Sequence, residues 1–484
     1  MSNEPRRPKL AIISSYTKFC GIAAYTRRLE RYLADSFDIE VLELDQELLR
    51  KDTPRRMKLA DKHIDEMCAR LAEFDEVNIQ WEPGTLGPNA KVSFRRLKKL
   101  VRASPNVSHT FHTFEPDESL PLGAMLRDAL ILKPKRAVGR ARHWYRVRWI
   151  GSKPFALLKS ESRRKRVSLI VHTKREARTL ELDYGFTNVF HHPLSFLRDE
   201  DVAEAIASAS RASFPQIAGI DPETKLIGIF GFIAPYKGTI TAVRALRSLP
   251  RDYHLLVFGG IHPASIQQHQ EIDGYLERVI GEVSQMDPRL GVRNPQHLDE
   301  EGHIIAGTEY ADPASVTTDS AEAPLSQVIA QALTMLRPTP EDQIPADLAD
   351  RVHFMGSLDD DGFVRGMSLC EAVVLPYLEV GQTSSGPVSL AVELQRRVLV
   401  SRNHAFAEYA KYHGDRVEFF DIGNHAELAE RIRRPSPAPE GRPAVNYRTN
   451  EKTYRQAHGL PAEREAPAAL VPSEIQPKGA PARV

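Results

Sequence analysis

Lys237 sits in the run GFIAPYKGT, after an apolar stretch of strand type (residues 226–230) and before a helical pattern carrying Ile240, Val243 and Leu246. Strand, Gly-containing turn and helix in that order make the βα unit that sets a loop at the carboxyl edge of a parallel sheet. An ammonium placed just before Gly238 and a helix N-terminus acts together with the backbone N–H groups and the helix dipole, and the three suit an anion. A second such place follows the apolar run AVVLP (residues 372–376). There Ser384, Ser385 or Gly386 can cap a helix, and Pro387 fits its first turn, where no N–H is needed. A Ser/Gly helix start at the end of a parallel strand can cradle a diphosphate. Each feature alone is equally an ordinary turn or cap; the two in one domain favour the anion. In the first half of the chain, VSHTFHTF (residues 107–114) brings His112 to the carboxyl end of a strand, where doubly wound sheets hold ligands. Gly21 opens a helix after the strand KLAIISS (residues 9–15). It either lets a phosphate or sugar approach the backbone or only permits the turn.

The elements that must position these residues read as α/β throughout. Further strands are expected at residues 39–44, 76–81 and 167–173, then at 253–258, 352–355 and 398–401, with helical patterns between them. This organisation predicts two doubly wound, Rossmann-like domains. The first covers residues 1–198, a linker 199–223, the second domain 224–436, a returning helix 437–460, and a disordered tail 461–484 rich in Pro, Ala and Glu. The second domain carries an acidic insertion at about 264–350. Between residues 271 and 350, sixteen acids face only Arg278, Arg289, Arg293 and Arg337, and residues 294–324 lack a clear period. Asp359, Asp360 and Asp361 read as a helix start rather than a metal motif, and the adjacent His191 and His192 project in different directions. No metal site is expected.

Lys and Arg total 65 and Asp and Glu 64, so overall charge gives no case for nucleic acid as a partner. The three cysteines (Cys20, Cys68, Cys370) show no CxxC spacing and fit a reducing, cytoplasmic setting. Neither a signal-peptide core nor an apolar run of membrane-spanning length is present in the sequence. The strongest asymmetry lies at residues 124–166, where fourteen basic residues stand against Asp128 and Glu161. Arg140, Arg142, Arg146 and Arg148 interleave there with Trp144 and Trp149. That pattern suits docking on an anionic membrane surface. A solvated basic excursion and a polyanion site remain the other readings.

Several stretches in order resemble the GT-B fold of nucleotide-sugar glycosyltransferases, and specifically the family 4 group of retaining enzymes. They are FCGIAAYT (19–26), NIQWEPG (78–84), HTFHTFEP (109–116), GIFGFIAPYKG (228–238), LLVFGG (255–260) and VVLPYLEVGQTSSGPVSLAVEL (373–394). The resemblance covers roughly residues 8–430, apart from the basic segment and the acidic insertion. It implies two domains facing across a cleft. It further implies transfer of a sugar from a nucleoside diphosphate sugar to a hydroxyl, with retention and with no cofactor or required metal. In that scheme Lys237 contacts the donor diphosphate and stabilises the departing nucleotide, and Ser384, Ser385 and Gly386 cradle the same group. Gly21 lies across the cleft, His112 lies near the transferred sugar, and Glu408 matches a glutamate that recurs after the last central strand. The implied partners are a nucleotide sugar and a glycan acceptor. The basic segment, apart from the resemblance, suggests a lipid-linked acceptor at the inner membrane face, and with the cysteine usage it gives the expectation of a cytoplasmic protein, peripheral at that face. Two positions depart from the family pattern. Phe232 stands where relatives carry an arginine, and Thr383 and Ala391 stand where they often carry two glutamates, with Glu379 and Glu393 nearby but off register. Those departures leave open a non-catalytic nucleotide-sugar-binding protein; another GT-B enzyme, such as a nucleotide-sugar epimerase, is the other rival.

Overall fold

The computed structural model describes residues 6–17, 20–114, 121–131, 133–261, 273–284, 348–379, 383–434, 436, 439 and 441–463. The chain lays down two parallel sheets in succession. The first contains β1 (Lys9–Ser14), β2 (Asp38–Glu43), β3 (Glu76–Trp81), β4 (Val107–Phe111), β5 (Val167–Val171) and β6 (Val189–His191), in the order β2-β1-β3-β4-β5-β6. The second contains β7 (Lys225–Phe230), β8 (Tyr253–Phe258), β9 (Val352–Gly356), β10 (Ala372–Leu375), β11 (Arg397–Ser401) and β12 (Glu418–Phe420), in the order β12-β11-β10-β7-β8-β9. The central strands are short apolar runs because helices cover both faces of a parallel sheet. This is the α/β pair of doubly wound domains that the sequence predicts.

In the first domain the helices are α1 (Gly21–Leu33), α2 (Gln46–Leu49), α3 (Pro54–Arg70), α4 (Ala90–Ala103), α5 (Leu122–Leu130), α6 (Pro134–Ile150), α7 (Ser152–Glu161) and α8 (Lys174–Leu182). α9 (Asp199–Ser208) follows β6. The second domain adds α10 (Thr239–Arg247), α11 (Gly274–Ser284), α12 (Asp360–Ser368), α13 (Gly386–Glu393), α14 (His404–His413) and α15 (His425–Arg433), and α16 (Tyr447–Ala457) ends the described chain. α11 lies inside the stretch that the sequence delimits as an insertion, yet it is a core element. Leu276, Val279, Ile280 and Val283 are buried with Val243 and Leu246 of α10. Residues 294–324, within the remainder of that stretch, lie outside the described residues, as do residues 464–484 of the tail. Phe214 and Ile217, within the expected linker, are buried in the core.

The strand order reverses between β1 and β3 in the first sheet and between β7 and β10 in the second. At such a switch point the loops leave in opposite directions and open a crevice at the carboxyl ends of the strands. Lys237 follows β7 and Ser384 to Gly386 follow β10, so both anion loops flank the crevice of the second sheet. Gly21 follows β1 at the crevice of the first.

Three sets of contacts hold the domains together. Arg27 and Arg28 on α1 pair with Asp360 and Asp361 on α12, each at 2.8 Å. Asp359 caps that helix on Gly362 N at 2.7 Å, so the three acids are a helix start with an added role between domains. Glu393 at the end of α13 accepts from Ser195 Oγ (2.5 Å) and from the backbone N–H groups of Phe196 (3.0 Å) and Leu197 (3.0 Å). Finally, α16 returns to the first sheet. Tyr454 donates or accepts at Thr110 Oγ1 (3.0 Å), Asn450 reaches the Tyr32 hydroxyl (2.6 Å), and His458 meets Ser108 (3.0 Å) and Glu76 (3.1 Å). Glu76 and Gln80 of β3 and Ser108 and Thr110 of β4 can be buried because this helix satisfies them.

Candidate functional site

Pro235 to Lys237 form a short 3-10 turn that ends on Gly238 in the left-handed region, φ 68°. A Cβ at Gly238 would stand 1.9 Å from the Pro376 carbonyl oxygen, so only glycine lets the β7 loop lie against the β10 loop. Gly231 (φ 116°) opposes the Lys237 side chain, and a Cβ there would meet its Cε at 3.3 Å. These glycines fold Lys237 inward, where it is 6% exposed. Its Nζ lies 3.8 Å from the centre of the Tyr377 ring and 4.9 Å from that of Tyr236. Among the described residues it has no carboxylate partner, and burial alone lowers its pKa to about 7. A buried ammonium held only by aromatic faces is poised for an anion that arrives from outside.

Tyr377 ties Lys237 to the second loop, since its hydroxyl accepts from Ser385 Oγ at 3.4 Å. Ser385 is the N-cap residue of α13 but makes no side-chain cap, Gly386 and Pro387 open the helix, and the first-turn N–H groups are left to another acceptor. Gly386 also lies close to the first domain: a Cβ there would stand 3.3 Å from the Phe196 ring, which would have to give by a few tenths of an ångström. Ser384 and Thr383 precede them, and Thr383 Oγ1 donates to the His112 carbonyl at 3.5 Å. That contact brings His112, from the first sheet, to the diphosphate-type loop of the second.

His112 Nε2 faces Gln80 Oε1 at 2.7 Å, so this nitrogen carries the proton and Nδ1 is an acceptor. Although part of the residue reaches solvent, burial and the neighbouring His172 and His109 hold its pKa well below the usual value, leaving it neutral. Tyr25, one turn after Gly21 on α1, packs edge-on against His112 with ring centres 5.5 Å apart. A Cβ at Gly21 would meet nothing within 4 Å, and its φ is not in the left-handed region. Open space rather than the turn therefore distinguishes that position. Glu408 is placed apart: on α14 its Oε1 accepts from Lys411 Nζ at 2.5 Å, while Oε2 is buried without a partner. Among the described residues no hydrogen bond or ion pair joins it to the two loops. Ala391, the second of the family's glutamate positions, is fully buried in the core.

His172 is a member of this site that the sequence reading passed over. Its Nδ1 lies 3.0 Å from the His192 carbonyl, which can only accept, so Nε2 presents a lone pair. That atom is buried without a partner, and burial lowers the imidazole pKa to about 4. With Thr383, Ser384, Ser385 and Tyr409 it lines a small interdomain cavity whose empty space, mouth included, is about 280 Å³. The signal in sequence was a histidine at a strand's carboxyl end, as for His112. Glu176, the N3 residue of the α8 capping box, supports the same corner by accepting from His172 N (3.2 Å) and Thr173 N (3.0 Å).

The basic segment forms α5, α6 and α7. Arg140 pairs with Asp128 at 2.7 Å, Arg142 is exposed, and Trp149 packs on Phe94 of α4 with ring centres 5.7 Å apart. Trp144 is partly buried, and the side chains of Arg146 and Arg148 lie outside the described residues. Among the described residues no group of three or more His, Cys, Asp or Glu could hold a metal ion, and no helix is long and apolar enough to cross a membrane.

No family model and no curated protein matches the sequence. Among solved structures the chain is similar to HepE of Anabaena in complex with UDP and glucose, at 11% identity over 88% of this chain and 89% of that one, TM-score 0.45. It is also similar to sucrose-phosphate synthase from Thermosynechococcus elongatus, at 14% identity over 94% of each chain, TM-score 0.48. A third is a UDP-forming α,α-trehalose-phosphate synthase from Burkholderia xenovorans, at 10% identity over 93% and 94%, TM-score 0.48.

Proposed function

We propose that this protein is a glycosyltransferase that moves a hexose from a nucleoside diphosphate sugar to a hydroxyl, with retention at the anomeric carbon and without a required metal. The observation that carries this reading is Lys237, a buried ammonium with no carboxylate partner among the described residues, beside a helix start with no side-chain cap. Both stand at the switch point where a doubly wound sheet holds its ligand. A diphosphate placed there meets one full charge and the first-turn N–H groups of α13, and the negative charge that grows on it as the sugar departs is stabilised without reorganisation. Neutral His112, across the cleft, offers an acceptor nitrogen to a sugar hydroxyl rather than a charge to the phosphates.

Thermal denaturation with UDP, GDP and ADP, and with their common hexose conjugates, tests the reading on wild type and Lys237→Ala. A nucleotide that binds only the folded chain raises Tm by mass action, by about 2.7 kcal/mol of stability at a hundredfold excess over Kd. One nucleotide is expected to stabilise wild type and to leave the variant unchanged. No shift with any of them would overturn the proposal. Binding of a nucleotide sugar without transfer or hydrolysis would instead establish the non-catalytic alternative that Phe232 in place of an arginine keeps open. For the active enzyme, proton NMR of the product reports the anomeric configuration, and turnover in EDTA reports the metal.

A further inference from the structure

Exposed apolar side chains concentrate on one helical pair. Among the described residues eleven large apolar side chains are exposed, and six of them, Leu122, Leu126, Leu130, Ile131, Val138 and Tyr145, lie on α5, α6 and the turn between. On α5 the usual amphipathic arrangement is inverted. Leu122, Leu126 and Leu130, spaced four apart on one face, point to solvent at 58%, 65% and 83% exposure, while Asp128 is buried at 5% and bound to Arg140. A helix that hides its only acid and presents leucines is not satisfied by water.

The surroundings state what would cover it. Asp128 is the only acid between residues 121 and 150, and its charge is already neutralised by Arg140. Arg127, Lys133, Lys135, Arg136 and Arg142 are exposed around the leucines, with no acidic partner among the described residues. Between the helices an open groove of about 820 Å³ is lined by Arg127, Arg136, Arg140, Asp128, Ile131 and Gly123. Long basic side chains around a protruding leucine stripe complement a surface with an apolar interior and anionic head groups. A folded protein partner would more often present a shaped pocket, and single-stranded nucleic acid would call for a series of exposed aromatic stacking platforms, whereas Trp149 is engaged on Phe94 and Tyr145 is a single exposed ring among aliphatic side chains.

The geometry points to the α5–α6 pair as a docking surface for an anionic phospholipid bilayer, with the leucines of α5 entering the head-group boundary and the exposed arginines and lysines on the phosphates. α5 begins ten residues after His112 in the chain. An acceptor anchored in that bilayer would reach the cleft from the side of the first domain. The surface is independent of donor binding and stands or falls by itself.

Flotation of the full chain with vesicles tests it. Vesicles of phosphatidylcholine with about 30 mol % phosphatidylglycerol at about 50 mM salt are expected to bind at least tenfold more protein than phosphatidylcholine alone, and less as salt rises. Leu126→Asp with Leu130→Asp should reduce binding at least tenfold even at low salt. Arg127→Glu with Arg136→Glu should reduce it comparably, with a weaker salt dependence. These side chains are exposed, so Tm and nucleotide-induced stabilisation should be unchanged in both variants. A competing arm in which inorganic phosphate replaces chloride at constant ionic strength should leave vesicle binding intact. Failure of wild type to float, indifference to the leucine substitutions, or displacement by free phosphate would overturn the proposal. So would a dimer in solution that the leucine substitutions dissociate, or tighter binding to single-stranded RNA than to vesicles.

Discussion

Lys237 is expensive to bury, and its expense is a measure of what it is for. Burial brings its pKa from 10.5 to about 7, so the free protein at neutral pH holds a proton there only about half the time. A bound diphosphate favours the ammonium, and association above pH 7 must take up a proton. Nucleoside diphosphate affinity is therefore expected to be flat below about pH 6 with respect to this group. It should weaken by up to about tenfold per unit as pH rises beyond 7, until the pKa of the complex is reached. Titration calorimetry in buffers of different ionisation enthalpy reads the proton directly, and a pH-independent affinity between 7 and 9 would count against the assignment. Lys237→Met keeps most of the volume and removes the charge. It should lose nucleotide binding by about a hundredfold or more while raising the stability of the free protein at pH 7 by about 2 kcal/mol, below the ceiling of about 4 kcal/mol set by the shift. A variant that lost both stability and binding would mean that Lys237 is structural.

At the scale of elements, the crevice depends on glycines that let one loop lie on another and on a clasp at the other end of α13. Gly238→Ala places a methyl against the Pro376 carbonyl and forces a left-handed φ on alanine. It should destabilise the second domain by about 3 kcal/mol or more, read by urea denaturation. Glu393→Gln turns one accepting oxygen into a donor facing the N–H of Phe196 or Leu197. It should cost about 2 kcal/mol and make the segment 195–197 exchange its amide hydrogens faster. The glycine loops were legible in the sequence because strand, turn and helix are contiguous there, and the same contiguity exposed Lys237, Ser385, Gly386 and His112. The clasp was not. Glu393 sits within an apolar helical run, and its partners lie about two hundred residues earlier, so nothing local distinguishes it from an off-register family glutamate. The basic segment was legible as a charge, but its exposed apolar side chains were sought in Trp144 and Trp149. The leucines face out instead because the Asp128–Arg140 pair holds the other face of α5 inward, a tertiary cause with no periodic signature. The crossover helix α11 was hidden for a compositional reason, since it opens a long acidic stretch whose later part gives no helical period.

Over the whole molecule the buried histidines govern the response to acid. His109, His112, His172, His192, His353 and His413 all have pKa values lowered mainly by burial, to about 3 for His109 and His192 and about 4 for His172, His353 and His413. Unfolded, each takes up a proton near pH 6.5; folded, each stays neutral until far lower. The unfolded state thus binds more protons between about pH 4 and 6.5, and stability falls as pH drops through that window. Glu176 and Glu393 act in the opposite sense. Burial raises both to about 7, so their contribution is greatest below about pH 4.5 and is lost as pH rises through 7. Six groups outweigh two, and Tm is expected to fall by roughly 5 °C or more between pH 7 and pH 5. His109 isolates the effect. It is fully buried among Trp81 and Phe111, both ring nitrogens lack partners, and it acts on the site only as an electrostatic neighbour of His112. Phenylalanine replaces its ring without the two unsatisfied nitrogens, so His109→Phe should raise Tm at pH 8 modestly and at pH 5 by several degrees more. Equal shifts at the two pH values would show that His109 does not charge on unfolding in that range, and the acid sensitivity would then have to come from elsewhere in the fold.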